Sequence, residues 1–128
     1  MVPIVFINCT EYPYVHAIMA GIKTFETRNR RTLEELVGER VMIAETGHGK
    51  PVVRCWATIG DSIRIEHYET WENLRCFHRV PYSSHHEWNQ DTKQKYLYPL
   101  IDVHEVKPFV PPEGKRHGRV WMEYSENC

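Results

Sequence analysis

Closely spaced cysteines are missing from this sequence. Cys9, Cys55, Cys76 and Cys128 are scattered along 128 residues, and no two of them form a C-x-x-C pair. This spacing argues against a zinc site, a thioredoxin-type redox motif and a disulfide framework. Reduced thiols are typical of proteins in a reducing compartment, so we expect a cytoplasmic protein.

Long apolar runs are missing too. The first ten residues, MVPIVFINCT, lack the basic start, extended apolar stretch and small-residue cleavage site of a signal peptide. No apolar run approaches the ~20 residues that a membrane-spanning helix requires. Neither secretion nor insertion into a membrane is expected.

The sequence also has little net charge. Sixteen Lys and Arg residues against seventeen Asp and Glu residues give a formal charge of -1, so the protein as a whole has no field that attracts nucleic acid. Two local basic clusters stand out, one formed by Lys23, Arg28, Arg30 and Arg31, the other by Lys115, Arg116 and Arg119. Such clusters are common on solvated surfaces, so by themselves they do not define a binding site.

The composition is that of a globular protein. Hydrophobic residues make up 41% and charged residues 26% of the chain, which is ordinary for a soluble domain. The length fits one hydrophobic core, and we find no repeat or linker. Residues 1–128 are therefore predicted to form a single domain.

Hydrophobic patterns in the first half predict strands around one helix. The apolar run 4–7 indicates a buried strand, and a helix capped by Thr10 and stopped by Gly21 should follow, because apolar residues recur at helical spacing between them. Residues 24–28 alternate as a half-buried strand does. Residues 40–46 and 52–59 predict a hairpin around a glycine-containing turn.

The second half is predicted to be more helical before two closing strands. Apolar residues every three positions over 66–77 indicate a helix or successive helical turns. Ser84 and Glu87 have capping-box spacing and predict another short helix. Strands are expected at 97–107 and 119–124, with a proline-rich loop at 108–114. About six strands with two or three flanking helices predict an α+β fold, a small, partly closed mixed barrel.

Residues 21–28, GIKTFETR, are the most informative segment, because a helix exit runs directly into a strand. Alternation puts Thr24, Glu26 and Arg28 on one face of that strand. Lys23 and Arg28 can hold a phosphate or a base carbonyl, while Glu26 can accept from a base amino group or orient Lys23. The structural alternative is an ion pair between Glu26 and Arg28 beside a solvated Lys23.

The same segment carries a family resemblance. Gly21, Lys23, Glu26 and Arg28 match G-x-K-x-x-E-x-R, and with this motif the first half of the chain resembles the ASCH domain family. The resemblance implies a PUA-like β-barrel whose polar cleft binds RNA or a nucleoside. The ligand-binding set that it implies is Lys23, Thr24, Glu26, Arg28 and Arg30, and in an enzyme Lys23 and Glu26 would be the catalytic residues.

Two other functions stay open at this point. Some similar proteins look like amidohydrolases of acetylated cytidine that use a Lys, a Thr and a distant Glu, and others are linked to ribonuclease activity. Lys23 is at the hydrolase Lys position, but Glu26 replaces the Thr, so binding is favoured over hydrolysis. A hydrolase would need a carboxylate near Lys23, for which Glu26 is the closest candidate. Glu66, Glu69 or Glu72 could also enter the cleft from above, but all three are better explained as solvated helix residues. The other alternative is a protein interaction module that uses exposed aromatic residues.

Neither a metal nor a cofactor is expected. His86 and Glu87 begin an H-E pair that lacks the second histidine of H-E-x-x-H, and the neighbouring His78 and His85 form no ligand pattern. There is no phosphate-binding loop, dinucleotide fingerprint or nucleophile elbow.

Among the aromatic residues, Trp56 is the best candidate for stacking on a base.

Overall fold

The computed structural model describes residues 2–124. These residues form eight strands, three short α-helices and one 3-10 helix. In chain order the elements are β1 (Val2–Asn8), α1 (Tyr14–Met19), β2 (Phe25–Arg28), the 3-10 helix (Glu34–Leu36), β3 (Arg40–Thr46), β4 (Val52–Ile59), β5 (Ile63–Ile65), α2 (Tyr68–Asn73), α3 (Arg75–His78), β6 (Lys95–Phe109), β7 (Lys115–His117) and β8 (Trp121–Tyr124).

The strands form one curled mixed sheet. Its order is β2-β6-β4-β3-β1-β8-β7, and β5 also pairs with β6. β1 and β3 are parallel, whereas the hairpin of β3 and β4 is antiparallel, as predicted. This architecture confirms the predicted α+β fold, a small mixed barrel with flanking helices. It has eight strands instead of about six, because β5 and β7 are three-residue strands too short to give a periodic signal.

The longest strand, β6, has two sets of partners. Its first residues lie between β2 and β5, and its later residues pair with β4 through two register shifts. Asp102, at a positive φ of 54°, follows directly after the part that pairs with the end of β4. β6 thereby joins β2, which carries Glu26 and Arg28, to the hairpin of β3 and β4.

The centre of the sheet is buried on both faces. In β1, Val5 and Ile7 belong to one apolar cluster together with Val15 and Ile18 of α1. Ile4 belongs to a second cluster, with its neighbour Phe6, on the other side of the strand. A strand covered on both faces needs a continuous apolar run, which explains why 4–7 does not alternate.

Two predicted helix starts are wrong. Thr10 does not cap α1, which begins at Tyr14; instead the Thr10 hydroxyl donates to Asn8 Oδ1 at 2.7 Å. Ser84 opens a turn and not a helix, because its hydroxyl accepts the His86 N–H at 3.0 Å. In both places a short polar side chain binds nearby groups in a turn, a known competitor of helix capping.

The remaining elements differ from prediction mainly at their ends. The helical stretch expected over 66–77 is two short helices, α2 and α3. β6 extends through Pro108 to Phe109, and β7 follows the predicted loop. Cys9, Cys55 and Cys76 are free thiols, and Cys128 lies outside the described residues. No helix within residues 2–124 has the length and apolar character needed to cross a membrane.

Candidate functional site

A cavity of about 380 Å³ opens between β1 and β2, within the size range of small-ligand sites. Its walls come from β1, β2, the loop before β6 and the turn before β8. The lining residues are Phe6, Ile7, Asn8, Tyr14, Lys23, Glu26, Thr27, Arg28, Asn29, Thr46, His86, Lys95 and Arg119. The structure therefore brings Lys23, Glu26 and Arg28 to one concave surface.

The alternation of β2 places Glu26 and Arg28 side by side. Glu26 is 6% exposed, and its Oε2 accepts from Arg28 Nη2 at 3.0 Å. Its Oε1 accepts the backbone N–H of Thr27 at 3.2 Å. Because the carboxylate is held on both oxygens, it forms a fixed negative charge in the wall of the cavity.

Lys23 enters the cavity from the segment after α1 and is 1% exposed. Its Nζ donates to the His78 carbonyl at 2.7 Å and lies 3.6 Å from Glu26 Oε1. Burial lowers the pKa of Lys23, and the negative charge of Glu26 opposes that change. The alternative in which Lys23 is solvated is therefore wrong, although the predicted ion pair of Glu26 and Arg28 is present.

Two cavity residues keep unused hydrogen-bonding capacity. Arg28 reaches from β2 to β1, where Nη2 donates to the Phe6 carbonyl at 3.2 Å. Within residues 2–124, its buried Nε and the buried Tyr14 hydroxyl have no hydrogen-bond partner. Burial raises the pKa of Tyr14, so this hydroxyl is a neutral donor. Buried polar groups are normally satisfied; these two atoms are exceptions, and neither reaches the accessible surface of the cavity.

Lys95 is a cavity residue that the sequence reasoning missed. It is 3% exposed, and its Nζ donates to Asn29 Oδ1 at 2.8 Å and to the His86 carbonyl at 2.6 Å. Burial lowers the pKa of Lys95. Asn29 lies 66 positions away in the chain, so no local pattern could have pointed to this contact.

Two residues of the predicted ligand set do not line the cavity. Thr24 uses its backbone instead, with its N–H donating to the Phe77 carbonyl at 2.8 Å. Arg30 is exposed after the end of β2. Of the second basic cluster, Arg119 contributes to the lining, whereas Arg116 pairs with Glu113.

The candidate carboxylates of the segment 66–72 also lie outside the lining. Glu66 pairs with Arg64 at 2.9 Å, and Glu72 accepts from Arg75 Nη2 at 2.7 Å. Glu69 is exposed on α2. Glu26 is thus the single carboxylate among the described residues that line the cavity.

Trp56, the stacking candidate, is likewise not a lining residue. It lies half-buried on β4, with the Arg40 guanidinium 5.9 Å from its ring centroid. The aromatic ring that does line the cavity beside Lys23 is that of Tyr14, whose centroid is 5.0 Å from Lys23 Nζ.

His78 supports the site from the core. Its Nδ1 accepts the Val80 N–H at 3.0 Å, so the ring proton is on Nε2, which donates to the Trp71 carbonyl at 3.0 Å. The ring stacks on the Trp71 side chain at a centroid distance of 3.9 Å. Burial lowers the pKa of His78 to about 4. In the described part of the chain, no three His, Cys, Asp or Glu residues are grouped as metal ligands would be.

Taken together, four basic side chains and one carboxylate line the cavity. The basic residues are Lys23, Arg28, Lys95 and Arg119. They give a locally positive surface on a protein of nearly zero net charge, and Arg and Lys groups fixed in this way bind phosphate and carbonyl oxygens. The arrangement suits a polar or anionic ligand.

Comparison with known proteins identifies the fold. No protein-family model matches the sequence, and no curated protein matches it. Among solved structures, the chain is similar to the ASCH protein of Zymomonas mobilis, with 18% identity, a TM-score of 0.63 and coverage of 83% of this chain and 71% of that one.

Two variants of the same Zymomonas protein give similar values. A serine-to-alanine variant is 20% identical at a TM-score of 0.67, with 84% of this chain and 72% of that chain covered. A tyrosine-to-phenylalanine variant is 20% identical at a TM-score of 0.65, with 84% and 73% covered. The chain therefore has the ASCH fold.

Proposed function

We propose that this chain is an ASCH domain that binds RNA or a nucleoside in the cavity between β1 and β2. The ASCH fold supports the assignment, and so does the motif of Gly21, Lys23, Glu26 and Arg28 at the junction of α1 and β2. One fold serves many functions, so a binding function must come from the groups of the cavity itself.

The observation that carries the proposal is a cavity wall whose charged groups are already held in place. Lys23, Glu26 and Arg28 hold one another within 3.6 Å, so the polar wall exists before a ligand arrives. The basic residues Lys95 and Arg119 add to the lining of the same cavity. A base carbonyl or a phosphate oxygen has the acceptors that these basic groups require.

The direct test is the affinity for fluorescein-labelled single-stranded RNA and for the four nucleosides, measured by anisotropy and calorimetry. Arg28→Ala should weaken binding by about tenfold, since hydrogen bonds to charged groups contribute about 1.5–3 kcal/mol. Tyr14→Phe removes a single hydroxyl and should cost less. The matched control is Arg64→Ala, which removes an exposed Arg outside the cavity.

The salt dependence of RNA binding shows whether Arg28 contacts a phosphate or a neutral group of the RNA. For single strands, each neutralised phosphate contributes about 0.7 to the slope of log affinity against log salt concentration. Arg28→Ala should lower that slope, while Arg64→Ala should leave it unchanged. Equal affinities of the two variants, with circular dichroism showing intact folds, would contradict the proposal.

Hydrolysis of a modified nucleoside is the second candidate, and one observation favours it. Burial lowers the pKa of Lys23, a property of lysines that act in proton transfer, and Glu26 is 3.6 Å away. Amide hydrolysis also needs a nucleophile or an activated water. Thr24, the threonine next to Lys23 in sequence, does not line the cavity. Thr27 and Thr46 do line it, but among the described residues their hydroxyls form no hydrogen bond with the side chain of Lys23 or Glu26, so binding is the better supported function.

An assay with acetylated cytidine decides between the two candidates. The protein is incubated with acetylated cytidine, and the products are separated by chromatography. We expect binding with slow or absent release of cytidine. Rapid release that disappears in Lys23→Ala but persists in the control Lys50→Ala would establish hydrolysis. Lys50 is an exposed residue of the β3–β4 turn.

A further inference from the structure

A second cavity of about 310 Å³ lies beside the first. Its lining comes mostly from the loop 85–94 before β6 and includes Asn89, Asp91 and Lys93. Two residues, Asn29 and Lys95, line both cavities. The two spaces are therefore neighbours that share a wall.

The shared wall contains a buried cation with no carboxylate partner. Within the described residues, Lys95 Nζ donates to two neutral acceptors, Asn29 Oδ1 and the His86 carbonyl, and forms no ion pair. Buried charges are normally paired because removing an ammonium from water is costly. An ammonium has three N–H donors, and the third has no oxygen acceptor among the described residues. Nζ also lies 5.3 Å from the centroid of the Trp71 ring.

We propose that Lys95 binds a phosphodiester of single-stranded RNA whose two adjoining nucleosides occupy the two cavities. The inference rests on the proposed function and narrows it, because a ligand that spans both cavities is an oligonucleotide and not a free nucleoside. Each cavity is close to the lower end of the range for small-ligand pockets, about 300 Å³, so each has room for one such unit.

The charges of the second cavity agree with a base there. Asp91 is a carboxylate that repels a phosphate but accepts from a base amino group, and Asn89 and Gln94 add amide groups to the lining. The positive groups are Lys93, exposed on the loop, and the shared Lys95. A phosphate is thus favoured at the shared wall, where the first cavity adds its own basic residues.

The test compares three ligand sizes on the intact protein. The probes are the four nucleosides, their 5′-monophosphates and the matching dinucleoside monophosphates, titrated by calorimetry at low salt. The dinucleoside monophosphate should bind about tenfold more tightly than its nucleoside, since one charge-assisted hydrogen bond and a second set of contacts are added. The affinity for the 5′-monophosphate should lie between the affinities for the nucleoside and the dinucleoside monophosphate.

Three variants test which residues cause the tighter binding of the dinucleoside monophosphate. Lys95→Met should remove most of the tenfold difference between the dinucleoside monophosphate and the nucleoside, each measured on that same variant, and Lys93→Ala should weaken only the dinucleoside monophosphate. Lys50→Ala is the control, because it removes one exposed positive charge away from both cavities. If Lys95→Met does not fold, Lys93→Ala together with the ligand-size series still tests the second cavity.

The outcomes are distinct. Loss of the dinucleoside advantage in Lys95→Met, judged by the ratio of its two affinities, supports the inference. Equal affinities for a nucleoside and its dinucleoside monophosphate overturn it but leave the proposed function intact, and so does a 5′-monophosphate that binds as tightly as the dinucleoside. Absence of binding by every probe and by single-stranded RNA overturns both.

Discussion

Protonation of His78 should destabilise the fold in mild acid. The folded protein holds this ring neutral, because Nδ1 accepts the Val80 N–H and Nε2 donates to the Trp71 carbonyl. A proton on Nδ1 would face the Val80 N–H, which is itself a donor. Burial lowers the pKa of His78 to about 4, whereas an unfolded chain has a His pKa of about 6.5.

The magnitude follows from that pKa difference. Between the two values the unfolded state binds the proton more tightly, so stability is complete above about pH 6.5 and is lost as the pH falls toward about 4. One pKa unit corresponds to about 1.4 kcal/mol, which gives a full loss of about 3 kcal/mol. At about pH 5, where most carboxylates are still ionised, the loss from this residue should be about 2 kcal/mol.

The assay is urea unfolding of the wild type and His78→Phe at about pH 8 and pH 5. The phenyl ring can still stack on Trp71 but binds no proton. His78→Phe should be less stable at the higher pH, because it loses two hydrogen bonds, yet it should lose about 2 kcal/mol less than the wild type on acidification. His67→Gln, at an exposed position, should keep the wild-type pH dependence.

Nuclear magnetic resonance of the imidazole gives an independent measurement of the same quantity. His78 should titrate near 4 in the folded protein. A titration near 6.5, or an equal loss of stability in the wild type and His78→Phe, would refute the reasoning and show that the core accepts the charged ring.

Three further predictions concern stability. Glu26→Gln should cost about 3 kcal/mol in urea unfolding, because it leaves the buried Lys23 without its carboxylate, whereas Glu66→Gln at an exposed site should cost under about 0.5 kcal/mol; equal losses would contradict this. Because burial lowers the pKa of Lys23, the unfolded state binds more protons in alkaline solution, so stability should rise with pH toward about 10.5 and this rise should vanish in Lys23→Met. Gly114→Ala should lower the melting temperature by several degrees, since its Cβ would overlap the carbonyl oxygen of Glu123; an unchanged melting temperature would show that the β7–β8 hairpin moves aside.

The elements that could be predicted are those with a local signal. The continuous apolar run of β1, the alternation of β2 and β4 and the glycine-containing turn between β3 and β4 each follow from neighbouring residues. The convergence of Lys23, Glu26 and Arg28 was predictable for the same reason, since a helix exit and a two-residue period decide where their side chains lie.

The rest of the site depends on contacts that are distant in the chain. Lys95 reaches Asn29 and Lys23 reaches the His78 carbonyl, across 66 and 55 positions, and no periodic pattern encodes such pairs. Thr24 had the right alternation for the cavity but lies one residue before β2, where its backbone binds α3 and β6 instead. The helix predicted at Ser84 fails because the same side chain closes a turn equally well.

The two sets of partners of β6 have a consequence for cooperativity. β2 pairs with β6 alone, so the strand that carries Glu26 and Arg28 has no second neighbour to hold it if β6 opens. The later half of β6 pairs with β4, the second strand of the hairpin formed by β3 and β4. Local unfolding of the cavity between β1 and β2 is thereby linked to that of the central hairpin through one segment, and the two regions should open as a single unit and not as independent parts.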